Sequence, residues 1–447
     1  MSSYSRDLWH PFSNPNEIKQ RPPVHIVSGD GVYVRDSQGR NLLDGNAGGL
    51  WCVNVGHNRP EVKSAIVRQL DELAFYQLFD GISHPRVTEL AAKLVAMAKP
   101  ENMKRVFFTC GGSDSVETSL KLARQYHVIN AQPERKRFIS LKGGYHGTHV
   151  GAATVSGQSY MHRPYEPLLP GVSSVDMPFP YRNPWNCNDP EILAKLCIDQ
   201  LIAEIEYHVP DTIAAIIAEP VSGPGVIVPP ASYWPQLRRV CDEYGILLIS
   251  DEVVTGFGRS GSLFGCRGWG VVPDMMCLAK GISSGYIPLG AVMIGERMER
   301  AWDASGDDPK AFISTGVTYA GHPVACAAGL AVMDIVEKEN LAENARVRGD
   351  YLLKRLQPFV ETFPSVGDVR GKGLMIAIDL VRNKQTRESI DPTLGFAYQI
   401  AKVGRENGIM VRPYGPKIIL SPPLIFSAQH CNDLTDALEK TFSQVDK

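Results

Sequence analysis

The chain has 447 residues, 44% apolar and 21% charged, with a formal net charge of -2 at pH 7; this is ordinary composition for a globular protein and length for two or three domain-sized units. No basic run or long single-sign block marks a nucleic-acid partner, and no apolar stretch approaches the ~18 to 20 residues of a membrane span. Nine scattered cysteines without a C-x-x-C pair read as reduced thiols, and the N-terminus lacks a basic-then-apolar leader, so the expected compartment is the cytoplasm.

Residues 1–23 are rich in Pro, Asn and polar groups, with Trp9 and Phe12 as large apolar features, and read as a mobile or draped arm. Residues 24–45 predict short antiparallel strands, because Val32 and Val34 alternate with polar neighbours and D-S-Q-G is turn chemistry. A Gly/Asn loop over 46–60 carries an exposed-looking Trp51. Apolar spacing (Val62, Ile66, Leu70, Leu73) predicts a helix over 60–74, and a second covers 85–97. From about 105, strand, loop and helix repeat. Strands are expected at 104–110, 137–147, 212–221 and 246–253, and helices at 116–130, near 190–207 and at 234–245, with a glycine turn at 111–115. The strands are nearly continuous apolar runs, as in a parallel sheet covered on both faces. The last third changes character. A long helix over 321–340, rich in small residues, precedes a helix at 343–360, a strand at 373–380, a helix near 393–407 and short strands from 410. That predicts a smaller α+β domain, which the N-terminal strands are expected to join.

Several groups in this frame carry chemistry. The run Met275 to Ala279 ends on Lys280 and a Gly/Ser loop, presenting an amine where strands of an open α/β sheet end and ligands bind. The run 246–250 ends on Asp251 and Glu252. A lysine and an acid at two strand ends suit a Schiff-base cofactor site, although a lone lysine is most often a surface group. GGSDS at 111–115 is placed to cradle a phosphate at a helix start, or to cap that helix through Ser or Asp. Asp251 at a buried strand end needs a partner: a protonated ring nitrogen or an internal salt bridge. GFGRSG at 256–261 matches the dinucleotide pattern, but the aromatic, glycine-rich stretch after it cannot open the helix that fingerprint needs. GDVRGKG at 367–373 lacks the Ser or Thr of a P-loop. His146 and His149 lack a nearby acid in the sequence and read as a loop pair rather than a metal site. Arg412 is a candidate clamp for a carboxylate.

Jointly, LLDGNAGGLWCVNVGH, FFTCGGSDSVETSLKLAR, GGYHG, AEPV, ISDEVVTGFGRSG, LAKGISSGYIPLGAV, TYAGHPVACAAGLAVMDIV and GIMVRPYG, in this order, span almost the whole chain. They resemble the class III aminotransferases, fold type I enzymes dependent on pyridoxal 5'-phosphate, and most of all their ω-amino acid or amine:pyruvate branch. The resemblance implies a large α/β domain (61–325) with a mostly parallel seven-stranded sheet flanked by helices. It also implies a smaller α+β domain built from both termini (1–60 with the arm, and 326–447). It makes Lys280 the Schiff-base lysine and proton carrier, and Asp251 the acid paired with the pyridine nitrogen. It puts Val253 and Tyr145 on the two ring faces, and Gly111, Gly112 and Ser113 at the phosphate. Glu219 falls near the cofactor's phenolic side, His146 among the cofactor-binding residues, and Thr318 is the residue a neighbouring subunit lends to the phosphate. Arg412 becomes a mobile arginine that meets a substrate carboxylate, and Phe12, Trp51, Phe79 and Tyr145 line the substrate pocket. Two positions depart: Asp114 stands where the family often has Glu, and Val254 where ornithine- and GABA-type relatives carry Gln, which favours the pyruvate-using branch. The implied partners are an amine donor, a pyruvate-like acceptor and a second copy of the chain sharing the site, with a tetramer left open. The alternatives are other chemistry on the same cofactor (a decarboxylase or aminomutase), a nicotinamide dehydrogenase using GFGRSG, and a non-catalytic homologue.

Overall fold

The computed structural model describes residues 7–20 and 23–446, so the first six residues of the expected arm, with 21 and 22, lie outside the described residues. A short helix, Pro15–Gln20, forms within the expected arm, and three antiparallel strands follow it: β1 (Ile26–Asp30), β2 (Tyr33–Asp36) and β3 (Asn41–Asp44). Helices Pro60–Glu72 and Pro85–Met97 follow, each opened by a proline at its first position, where a missing N–H costs nothing.

The central sheet is built from β4 (Met103–Thr109), β5 (Arg137–Leu141), β6 (Val172–Val175), β7 (Ile213–Ala218), β8 (Leu247–Asp251), β9 (Met275–Leu278) and β10 (Gly290–Gly295). Its order is β4-β10-β9-β8-β7-β5-β6. β10 runs antiparallel to β4 and β9, and the other neighbouring pairs are parallel. This is the mostly parallel seven-stranded sheet expected. The sequence reading assigns no strand to 290–295, since Gly290, Ala291 and Gly295 dilute the β-branched signal there. Every residue of β7, β8 and β9 is buried. Alternate side chains feed opposite faces. Ile216 and Leu248 pack with helices Pro190–Tyr207 and Tyr233–Glu243, while Ile217, Leu247 and Ile249 pack with helix Gly112–Ile129.

The C-terminal part contains β11 (Val366–Gly371), β12 (Ile376–Asn383), β13 (Glu388–Ser389), β14 (Ile409–Met410), β15 (Arg412–Pro413) and β16 (Lys417–Leu420). β11, β12, β16 and β15 form one sheet, with β13 on β12. β14 pairs in parallel with β3, Ile409 opposite Leu43, so the N-terminal strands share a sheet with the C-terminal part. GDVRGKG is mostly β11 and makes no phosphate loop. Among the described residues no helix is long and apolar enough to cross a membrane.

Two backbones nearly touch where helix Leu341–Leu356 meets the turn between β11 and β12. A Cβ on Gly349 would lie 2.1 Å from the carbonyl oxygen of Gly373. Gly349→Ala is therefore expected to cost about 1–3 kcal/mol of stability through overpacking, read as a lower thermal midpoint. An unchanged midpoint would refute that contact.

Candidate active site

The carboxyl ends of four parallel strands meet at one edge of the sheet. Asp251 is the last residue of β8 and faces Cys277 of β9, and Ala218 of β7 faces Ser250 of β8. Glu219 follows β7, and Lys280 follows β9 after one residue. Tyr145 and His146 lie in the turn beyond β5. Residues spread over more than a hundred positions are thereby neighbours.

Lys280 leaves β9 in the left-handed region, φ +44°, a conformation costly to a residue with a Cβ. Its loop is seated tightly, because a Cβ on Gly281 would lie 2.5 Å from Asn54 Nδ2. Among the described residues the Lys280 amine makes no hydrogen bond or ion pair. Burial holds that amine below the usual lysine range, with the Arg412 guanidinium adding to the effect and Asp251 and Glu219 opposing it. A lysine shifted this way reaches its unprotonated, nucleophilic form closer to neutral pH.

Asp251 is buried and its oxygens are both engaged. His146 Nδ1–H donates to Oδ2 at 2.7 Å, and the Val253 N–H donates to Oδ1 at 3.0 Å. This corrects the reading of His146 as half of a loop pair without an acid. The acid comes from β8, which only the sheet order brings alongside. Burial disfavours the imidazolium of His146, but the hydrogen bond and charge of Asp251, with Glu219 behind it, outweigh burial and raise its pKa. His149 faces elsewhere, its Nδ1 3.3 Å from Asp114 Oδ1. Among the described residues no cluster of His, Cys, Asp or Glu could hold a metal ion.

Glu219 accepts from the N–H of Tyr145 at 3.1 Å and of Gly223 at 2.8 Å. It has no cation bonded to it among the described residues. Burial, reinforced by Asp251, pushes its carboxyl up to about 7, against His146 and the two backbone donors.

Helix Gly112–Ile129 begins four residues earlier than expected, so the predicted glycine turn supplies its first turn. Gly111 is the N-cap and offers no side chain. Ser113 and Asp114 do not cap the helix: Ser113 Oγ accepts from the Thr148 N–H at 3.0 Å, and Asp114 Oδ2 from the Cys110 N–H at 3.1 Å. A helix start with uncapped N–H groups is a seat for an anion. The space beside it is shaped by a missing side chain, since a Cβ on Gly112 would meet Val253 Cγ1 at 3.0 Å. An uncapped helix start, an unpartnered lysine and a buried carboxylate fit a phosphorylated pyridine aldehyde.

Arg412 comes from the far end of the chain, in β15. Its guanidinium lies 5.5 Å from the Trp51 ring centre and 5.7 Å from that of Tyr414. Burial lowers its pKa, and no carboxylate bonds to it among the described residues. Trp51 was expected to look exposed but is 6% exposed. It packs with Val221, Val226, Val254 and Met375, its Nε1 is buried without a partner among the described residues, and its backbone φ is +57°. Tyr414, whose OH donates to Gln158 Oε1 at 3.0 Å, and Cys52, close enough to Lys280 for charge to matter, were not singled out from sequence. Both lie in quoted motifs, Cys52 beside Trp51 and Tyr414 two residues after Arg412, so adjacency to an expected site residue was the signal that could have found them.

The remaining expected residues lie at the rim. Phe12 is exposed, its ring 6.4 Å from that of Tyr145. Phe79 is exposed beside Gly316, whose Cβ would meet its ring at 3.3 Å. Thr318 is exposed in the turn before helix Pro323–Lys338 and makes no hydrogen bond to the other candidate site residues. After GFGRSG, only a short 3-10 turn at Cys266–Trp269 forms, not the helix that dinucleotide binding requires.

The family model for class III aminotransferases matches residues 15–442. The chain belongs to the class III aminotransferases. A solved amine transaminase from an uncultivated Pseudomonas species, in its PLP-bound form, is 53% identical with a TM-score of 0.96 and 98% coverage of both chains. An (S)-enantioselective ω-transaminase from Thermomicrobium roseum is 40% identical with a TM-score of 0.93, covering 98% of this chain and 96% of that one. The putrescine–pyruvate aminotransferase of Pseudomonas aeruginosa is 37% identical over 97% of this chain and 93% of its own length. The protein is thus a fold type I aminotransferase that uses pyridoxal 5'-phosphate.

The raised carboxyl of Glu219 has a measurable consequence. Its pKa rises from an ordinary 4.5 to about 7 on folding, so between those values the native state holds more protons than the unfolded one. Its contribution to stability therefore falls as pH rises through that window. Melting the cofactor-free protein from pH 4.5 to 7 should show a flatter pH dependence in Glu219→Gln than in wild type. Parallel curves would show that Glu219 titrates normally.

Proposed function

We propose that the enzyme moves the amino group of a primary amine or ω-amino acid to pyruvate, giving alanine and an aldehyde or ketone. The observation that carries this reading is Arg412: a desolvated guanidinium, stacked on two aromatic rings, with no carboxylate bonded to it among the described residues. Such a group can engage the carboxylate of a keto acid and lie against the rings when an apolar amine occupies the pocket. The likeness over nearly the whole chain to an amine transaminase and a putrescine–pyruvate aminotransferase supports the same reading.

The residues divide the work. Lys280 Nζ would hold the cofactor and, once displaced by the substrate amine, would carry the proton removed from the substrate's Cα. Asp251 holds a proton at the pyridine nitrogen, and His146 holds Asp251. The cofactor, when bound, supplies an electron sink for the pair left at Cα. Gly111, Gly112 and Ser113, at the helix start, receive the phosphate. Val253 and Tyr145 would hold the cofactor's ring between them, and Glu219 would serve as a buried acid beside it. Trp51, Phe12 and Phe79 close the substrate pocket. Thr318 serves the site of a second copy. Its exposure beside Tyr319, whose exposed ring packs 5.5 Å from that of exposed Phe75, supports a homodimer with shared sites. All nine cysteines are free, which supports a reducing compartment, the cytoplasm.

Borohydride should fix the cofactor to Lys280, and Lys280→Ala should lose on the order of 10³-fold in rate, the size of a general acid–base contribution. A reducible adduct surviving in Lys280→Ala would sink the assignment. Arg412→Ala should lower kcat/KM for pyruvate by about 10- to 100-fold, the worth of a charge-assisted clamp, while a simple amine loses less than about threefold. Equal losses on both substrates would reject the arginine's role. Alanine formed from a panel of donors and pyruvate tests the reaction itself.

A further inference from the structure

Beside His146, the hydrogen-bond partner of Asp251, lies a cavity of about 10 Å³ that the mechanism above does not use. It is lined by His146, Glu219, Ser222, Gly144 and Tyr233, among others. A cavity of this size takes one water when enough polar groups converge on it. Here they do. His146 Nε2 and Ser222 Oγ are buried and have no hydrogen-bond partner among the described residues, on residues each 3% exposed. Unpaired buried polar atoms are costly, and natural folds satisfy them with protein groups or ordered water. A single point locates the meeting place. The Cβ position that Gly144 leaves empty is 3.4 Å from His146 Nε2 and 3.5 Å from Glu219 Oε2, and 3.1 Å from the carbonyl oxygen of Leu141.

We propose that Gly144, Ser222 and Glu219 seat one buried water that bonds His146 Nε2, making His146 and this water the positioning device for Asp251. The inference rests on the aminotransferase reading of Asp251. One end of the imidazole is fixed, because Nδ1–H donates to Asp251 Oδ2. The other end must have a partner if the ring is to hold that orientation. The water supplies it and also joins His146 to Glu219. A proton then has two places to rest. When Glu219 gives its O–H proton to the water, the water passes one of its own to Nε2. One O–H bond breaks, one N–H forms, and the net charge of the trio is unchanged. The charged groups facing this pair are Asp251 on β8 and, across the site, Lys280 after β9. With His146 protonated, its N–H bond to Asp251 is charge-assisted and stronger, which fixes the orientation of the Asp251 carboxyl. The raised pKa of both Glu219 and His146 agrees with one proton held between them.

Gly144→Ala puts a methyl at the water's place while removing no polar group, and Ser222→Ala removes one partner without filling the space. High-resolution crystal structures of the holoenzymes and the pH dependence of the bound cofactor's visible absorbance read the outcome. We expect one water between His146 Nε2 and Glu219 in wild type, none in Gly144→Ala, and an absorbance midpoint displaced by about one unit in Gly144→Ala and about half a unit in Ser222→Ala, the scale of one lost hydrogen bond. No water in the wild type, or midpoints unmoved in both variants, would overturn the proposal. If Gly144→Ala fails to fold, Ser222→Ala alone decides. Borohydride fixation on Lys280 in the same samples reads the enzyme assignment separately.

Discussion

Parallel strands deliver their last residues to the same edge, and this enzyme places its ionisable groups there. β5, β7, β8 and β9 run the same way with β7, β8 and β9 wholly buried, so Glu219, Asp251 and Lys280 emerge side by side from a dry sheet. Low polarity at that edge does two things. It disfavours the charged forms of Lys280 and Glu219, which frees the Lys280 amine and lifts the Glu219 carboxyl. It also strengthens whatever pairing remains, so the His146–Asp251 contact at 2.7 Å dominates its surroundings. The chemistry expected of Lys280 and Asp251 follows from this one arrangement.

The pocket in front of that edge is assembled from distant segments. Trp51 comes from the N-terminal loop, Tyr145 from the turn after β5 and Arg412 from the C-terminal sheet. What joins them is in part Arg259, inside the GFGRSG stretch. It is fully buried and bonds the carbonyl of Leu374 at 3.1 Å, the carbonyl of Pro422 at 2.5 Å and Asn54 Oδ1 at 2.9 Å. With burial opposing its charge, its pKa falls to about 9. The arginine of a motif that looks like a nucleotide loop thus serves as a cross-link between segments. Asn54, its partner, also lies against Gly281, beside the lysine.

Much of the architecture was legible because its signals are local. Continuous apolar runs mark buried parallel strands, and the 3.6-residue spacing marks the helices around them. β10 escaped because small residues weaken strand signals, and the start of the helix at Gly112 because glycine and serine read as a turn. Trp51 escaped because burial of a residue in a Gly/Asn loop depends on what later segments bring over it, here Val254 and Met375.

The sequence by itself determined the family, the lysine and acid at two strand ends, and the arginine near the C-terminus, since motif order and strand ends are written in one dimension. Only the tertiary structure decided that His146 belongs to Asp251, that Glu219 has no bonded cation among the described residues, and that Gly144 opens a space behind them. The physical reason is the sheet order. β5, β7 and β8 are neighbours in space with long crossovers between them in sequence, and no spacing along the chain encodes which strand ends will meet.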